Sequence, residues 1–134
     1  MSMTVLLASL AGACDGYKYR GMDGNEARRR ADAMPLEQAY AFYIETYKGV
    51  RPPMLDVAGT LHRFGPRGEK YLVDKATGTA DSREFEAIME AMMLNDTPCS
   101  EDLRKTLSFK ASALDVEPST VALGCHTAAD HAQN

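Results

Sequence analysis

Proline and glycine divide most of the chain into segments of about 11–15 residues that carry apolar side chains at helical spacing. Pro35 opens the first such segment and Gly49 closes it, and Pro52-Pro53 and Gly65-Pro66 enclose the second. Proline favours the first turn of a helix and glycine its end, so each segment is a predicted helix. The alternating pattern of strands is nearly absent. Helices joined by short turns are typical of an all-α fold of antiparallel helical hairpins.

Similar signals predict the later helices. A third helix runs from about Pro66 to Ala76, and Thr77-Gly78-Thr79 interrupts the chain after it. The sequence Asp81-Ser82-Arg83-Glu84 can form a capping box for a fourth helix. Ser100 can cap a fifth, and a last, weaker helix starts near Pro118 and fades by Ala132.

The first predicted helix is rich in aromatic residues. Leu36, Tyr40, Tyr43 and Tyr47 follow one another at steps of four, three and four, which places them on one face. With Phe42 added, the apolar side chains span more than half of the circumference of the helix. A single stripe facing the core would be narrower. Tyrosine is enriched where proteins bind one another. Two interpretations stay open: the three tyrosines contact a partner protein, or they pack in the core with their hydroxyls at its edge.

The stretch LDVAGTLHRFGPRGEKYLVDKA, residues 55–76, resembles a HEAT-type repeat, because a helix, a Gly-Pro turn and a second helix follow one another. Phe85, Ile88 and Ala91 echo its apolar positions about 30 residues later. The resemblance covers residues 52–114. It implies a short stack of helical pairs that presents a concave binding surface.

An uncharged apolar segment, TVLLASLAGA, occupies residues 4–13 and ends in small residues directly before Cys14. The stretch LAGAC resembles the lipobox of bacterial lipoproteins. That resemblance implies that Cys14 becomes the first residue of the mature chain and carries acyl groups. The expected organisation is then a signal segment (1–13), a polar tether with a short helix (14–34) and one helical domain (35–134). The alternatives are a soluble exported form, or a core element formed by residues 4–13.

The chain has three cysteines. In an oxidising compartment, where cysteines form disulfides in pairs, an odd number leaves one thiol unpaired. If Cys14 carries lipid, Cys99 and Cys125 remain as an even pair, and a disulfide between them is the simplest use. The bond would close a loop of roughly 26 residues and stabilise the fold by about 3–4 kcal/mol. The alternative is two buried, reduced thiols in a cytosolic protein.

Several functions are not expected. The net charge of −4 gives no general attraction for nucleic acid, and the longest apolar run is too short to span a membrane. His62, His126 and His131, taken with the cysteines, match no familiar metal-ligand spacing. Glu86 and Glu90 share a face that we expect to be solvated. We find no phosphate loop and no motif for a catalytic nucleophile, so we expect neither an enzyme nor a cofactor.

The sequence thus favours a non-enzymatic, lipid-anchored protein on the periplasmic side of a bacterial membrane that binds another protein. An immunity-type inhibitor of a toxin is one concrete version, by analogy with other small, exported helical proteins. Two alternatives remain: a cytosolic helical adaptor with free cysteines, and a minor periplasmic enzyme accessory.

Overall fold

The computed structural model describes Tyr19 and residues 21–127. Among these residues there are seven α-helices, one 3₁₀ helix and no strand, which confirms the predicted all-α class. The α-helices are α1 (Gly24–Asp32), α2 (Leu36–Gly49), α3 (Asp56–Gly59), α4 (Gly65–Gly78), α5 (Ser82–Leu94), α6 (Glu101–Ala113) and α7 (Pro118–Gly124), with the 3₁₀ helix Thr60–Phe64 between α3 and α4.

Helix α5 is the centre of the fold. It contacts α2, α3, α4 and α7, and six of its thirteen residues are buried. Met89 and Met92 are among these and fill the core, while Met93 is half-buried. Glu86 and Glu90 lie on the part of α5 that is only half-buried.

Side chains cap the helices where the sequence places the caps. The Asp81 carboxylate accepts hydrogen bonds from the amides of Arg83 (2.9 Å) and Glu84 (3.1 Å), and Ser100 Oγ accepts one from the Leu103 amide (3.1 Å). The predicted capping box is only half formed. The Asp81 amide donates to Thr79 Oγ1 (3.1 Å), which leaves the Glu84 side chain available for a contact with α2.

The second predicted helix is broken in two. The segment after Pro52-Pro53 forms the short α3 and then tightens into the 3₁₀ helix. Gly59 lies at the break, where its lack of a side chain weakens an α-helix, and the Thr60 hydroxyl next to it donates to the Val57 carbonyl (2.7 Å). Gly65 then turns the chain at φ +58°, a conformation that favours glycine.

Helix α1 belongs to the core, although it falls within the region predicted as a tether with a short helix. Ala27 and Ala31 are fully buried, and α1 contacts α2 and α3. Gly24 approaches α3 so closely that a Cβ atom there would clash with the Asp56 carboxylate. The polar face of α1 is solvated, with an ion pair between Arg28 and Asp56 at 3.4 Å.

Helices α6 and α7 form a hairpin whose base is closed by the two cysteines. Cys99 lies just before α6 and Cys125 just after α7, with their Cα atoms 5.3 Å apart and their Sγ atoms at bonding distance. Helix α7 is the inner member, because Gly124 lies against the backbone of α5, where a Cβ would come within 2.6 Å of the Met89 carbonyl oxygen. Helix α6 is the outer member, and only Leu107 and Ala111 are buried on it.

In the part of the chain that the structure describes, no helix combines the length and the apolar character needed to cross a membrane.

Candidate functional site

The structure describes some of the predicted site residues and not others. Cys14 lies outside the described residues, so the structure says nothing of a lipid there. Cys99 and Cys125 are brought together as a buried pair with the spacing that a disulfide needs.

Tyr40, Tyr43 and Tyr47 are all buried, which is the core interpretation of the two that the sequence left open. They are enclosed because α2 packs on α5. The Tyr43 hydroxyl donates to the Ala87 carbonyl (2.6 Å), and the Tyr40 hydroxyl donates to Glu84 Oε1 (2.5 Å). Little of their surface therefore remains accessible, at most 5% for Tyr40.

Burial also changes the acidity of these hydroxyls. It raises the pKa of Tyr40 and Tyr43 far above the ordinary value for tyrosine, with the hydrogen bond to Glu84 adding to the effect at Tyr40 and the charge of Glu90 at Tyr43. Burial raises the pKa of Tyr47 to about 12, and nearby Glu90 adds to this while Arg83 opposes it. All three hydroxyls stay protonated near neutral pH and can act only as neutral donors or acceptors.

A cleft of about 440 Å³ opens beside Tyr40, between the end of α4 and the start of α5. Its lining combines an aromatic ring, an ammonium group, two carboxylates and the short link between the helices: Tyr71, Asp74, Lys75, Gly78, Thr79 and Glu84. We call this the α4–α5 cleft. Its volume lies in the range of small-molecule binding sites.

The charged groups of the α4–α5 cleft are held in place by different partners. Lys75 Nζ lies 5.5 Å from the centroid of the Tyr40 ring and 5.4 Å from that of Tyr71, as a cation over two aromatic rings. Asp74 is paired with Lys70 at 2.7 Å. Glu84 is fixed through one oxygen by the Tyr40 hydroxyl.

Phe109 is the most exposed large apolar residue that the structure describes, with 81% of its surface accessible. It lies on the outer helix α6. Leu94 at the end of α5 (45%) and Leu123 on α7 (38%) are less exposed. Phe109 was not predicted from the sequence as an exposed residue. The signal was present, because a residue two places after the buried Leu107 points about 200° away from it.

The described residues contain no group of three histidine, cysteine or acidic side chains placed to hold a metal ion. His62 and His126 are exposed on separate elements, while His131 lies outside the described range. Glu86 pairs with Arg83 on its own helix at 3.3 Å, and both side chains are partly exposed.

The chain matches no family model, no curated protein and no solved structure.

Proposed function

We propose that this protein is an exported, lipid-anchored, non-enzymatic helical module that binds another protein through the outer face of α6. The single observation that carries the binding proposal is the exposure of Phe109, 81% of whose surface is accessible on a helix at the edge of the fold. Its cellular address would be the periplasmic side of a bacterial membrane, with Cys14 as the lipid-bearing residue.

The two described cysteines support the export part of the proposal. Cys99 and Cys125 need no backbone movement to form a bond, since their Cα atoms are 5.3 Å apart. Such bonds persist in oxidising compartments and are rare in the cytosol. With lipid on Cys14, the chain would retain no unpaired thiol. The anchor would then join the fold near α2, because Tyr19 stacks edge-on against Phe42 at 6.1 Å.

The exposed ring, its polar surroundings and the cysteine pair of the α6–α7 hairpin support a role in binding. Burial of a phenylalanine side chain stabilises a protein or a complex by about 1.5–3 kcal/mol. Phe109 makes little of this contribution in the isolated chain, because its ring is exposed. Lys105, Thr106 and Ser112 lie within one helical turn of it and are exposed, so that polar groups surround an aromatic anchor as in many interfaces. The cysteine pair fixes the base of the hairpin, which limits the ordering cost of binding.

The partner would be a protein with an apolar pocket that accepts one aromatic ring. An immunity-type inhibitor that covers a toxin in this way is one version of the proposal, and the supporting features are the small helical fold and the two paired cysteines.

Phe109→Ser tests the binding proposal. We expect the variant to lose a partner that copurifies stoichiometrically with the native protein, with affinity reduced by about 30-fold or more, as at an interface hot spot. Its urea midpoint should stay unchanged, because the ring contributes little to the core. Affinity is measured by titration of the purified partner, identified by mass spectrometry.

The matched control is Leu94→Ser, which removes another exposed apolar side chain on a different helix. It should bind as the native protein does. Equal affinity of Phe109→Ser and the native chain would refute the assignment of the binding face to α6.

A further inference from the structure

The α4–α5 cleft is a second candidate site, separate from the face of Phe109. We propose that it binds a free α-amino acid in its zwitterionic form, with the ligand carboxylate at Lys75 and the ligand ammonium at Glu84. This inference goes beyond the proposed protein-binding function and does not depend on it.

Lys75 provides the cationic end of the cleft. Its ammonium group lies over the rings of Tyr40 and Tyr71, and no carboxylate oxygen of the described residues comes within the 4.0 Å of an ion pair. The rings attract the ammonium group of this exposed residue but accept no strong hydrogen bond from it. A ligand carboxylate could therefore accept hydrogen bonds from the N–H groups of this ammonium, which otherwise face solvent.

Glu84 provides the anionic end. The Tyr40 hydroxyl occupies Oε1 at 2.5 Å, and this buried donor fixes the direction of the carboxylate. In the described structure Oε2 accepts no hydrogen bond and is not buried. Thr79 Oγ1 accepts from the Asp81 amide (3.1 Å), so its own hydrogen can still be donated to a ligand. Glu84 Oε2 is the natural acceptor for a ligand ammonium.

The mixed charge of the lining determines the class of ligand. A simple anion would be attracted by Lys75 but repelled by Glu84, and a simple cation would meet the reverse arrangement. A zwitterion carries one group of each sign, a carboxylate for Lys75 and an ammonium for Glu84. Asp74, the other carboxylate of the lining, is paired with Lys70 at 2.7 Å in an exposed contact. The ring of Tyr71 forms an apolar wall of the cleft, which suits an apolar or aromatic side chain on the ligand.

The test is a titration of the full chain with L-phenylalanine, followed through the amide NMR signals of Gly78 and Thr79. We expect saturable shifts with a dissociation constant of about 1 mM or lower. Two analogues test the chemistry in the native protein: the methyl ester lacks the carboxylate, and the N-acetyl derivative lacks the ammonium. Each should bind about tenfold more weakly or worse, since a hydrogen bond to a charged group is lost.

Variants test the assignment to residues. Lys75→Met and Glu84→Gln should each weaken binding of L-phenylalanine by about tenfold or more, while Lys105→Met and Glu101→Gln on α6 should not change it. The amide oxygen introduced by Glu84→Gln can still accept the hydrogen bond from Tyr40, so the fold is expected to persist. Shifts that do not saturate, equal binding of both analogues and the amino acid, or variants that bind like their controls would each overturn the proposal.

Discussion

Replacing Cys99 and Cys125 together with serine is expected to lower the free energy of unfolding by about 3–4 kcal/mol. The bond closes a loop with a sequence separation of 26 residues, and in the chain-entropy model a cross-link over such a loop removes this much freedom from the unfolded chain. Small domains have only about 5–15 kcal/mol of net stability. The effect should appear as a large drop in the urea midpoint, measured by circular dichroism.

The hairpin geometry adds a second expectation for this variant. Helix α6 has only two buried residues, so without the bond at its base the hairpin should open before the rest of the fold. Hydrogen exchange of the α6 amides should accelerate more than that of the α5 amides. The native protein under a strong reductant is the matched control and should behave as the double variant does. An unchanged urea midpoint in both would show that the pair does not support the fold.

Alkaline pH is expected to unfold the protein steeply because of the tyrosines of α2. Tyrosine titrates at 10.0 in the unfolded chain, and burial raises the pKa of Tyr40 and Tyr43 in the fold. When the pKa of a group is higher in the folded than in the unfolded state, the group contributes its full stabilisation at pH values below the unfolded-state pKa. This stabilisation is lost as the pH rises toward the folded-state pKa. Above pH 10, the free energy of unfolding should therefore fall by about 1.4 kcal/mol per pH unit for each such group, or about 2.7 for Tyr40 and Tyr43 together. Tyr47, whose pKa burial raises to about 12, adds to this slope at pH values below that.

Urea midpoints measured at several pH values up to about 11.5, with tyrosinate absorbance recorded in parallel, test this expectation. Tyr43→Phe is the matched control. It should reduce the slope by about 1.4 kcal/mol per pH unit, although it also loses the hydrogen bond to Ala87 and starts from a lower stability. A free energy of unfolding that stays constant above pH 10, or tyrosines that all titrate near 10 in the fold, would contradict the buried positions of these hydroxyls.

Much of the helical architecture could be predicted because its signals are local. Asp81 and Ser100 cap helices where the sequence places them, since a cap depends on a side chain and the amides two or three residues later. The break after Gly59 was missed, because apolar spacing suggested a continuous helix while a glycine and the Thr60 hydroxyl favoured a tighter turn.

The surfaces were harder to predict than the helices. Whether the Tyr-rich face of α2 is exposed depends on α5, which packs against it from more than 40 residues away, and the sequence does not show that contact. The α4–α5 cleft likewise requires Tyr40, Lys75 and Glu84 from three helices. The count of three cysteines left two alternatives, a bond between Cys99 and Cys125 or two reduced thiols, and the structure brings the two side chains to bonding distance.

We propose that the protein works outside the cytosol, with lipid on Cys14 and a bond between Cys99 and Cys125. Intact mass of the protein purified from native membranes, recorded with alkylation before and after reduction, tests it most directly. We predict a chain that starts at Cys14 with acyl groups, no alkylation before reduction and two alkylated thiols after it. A full-length chain with three thiols that react without reduction would contradict the claim.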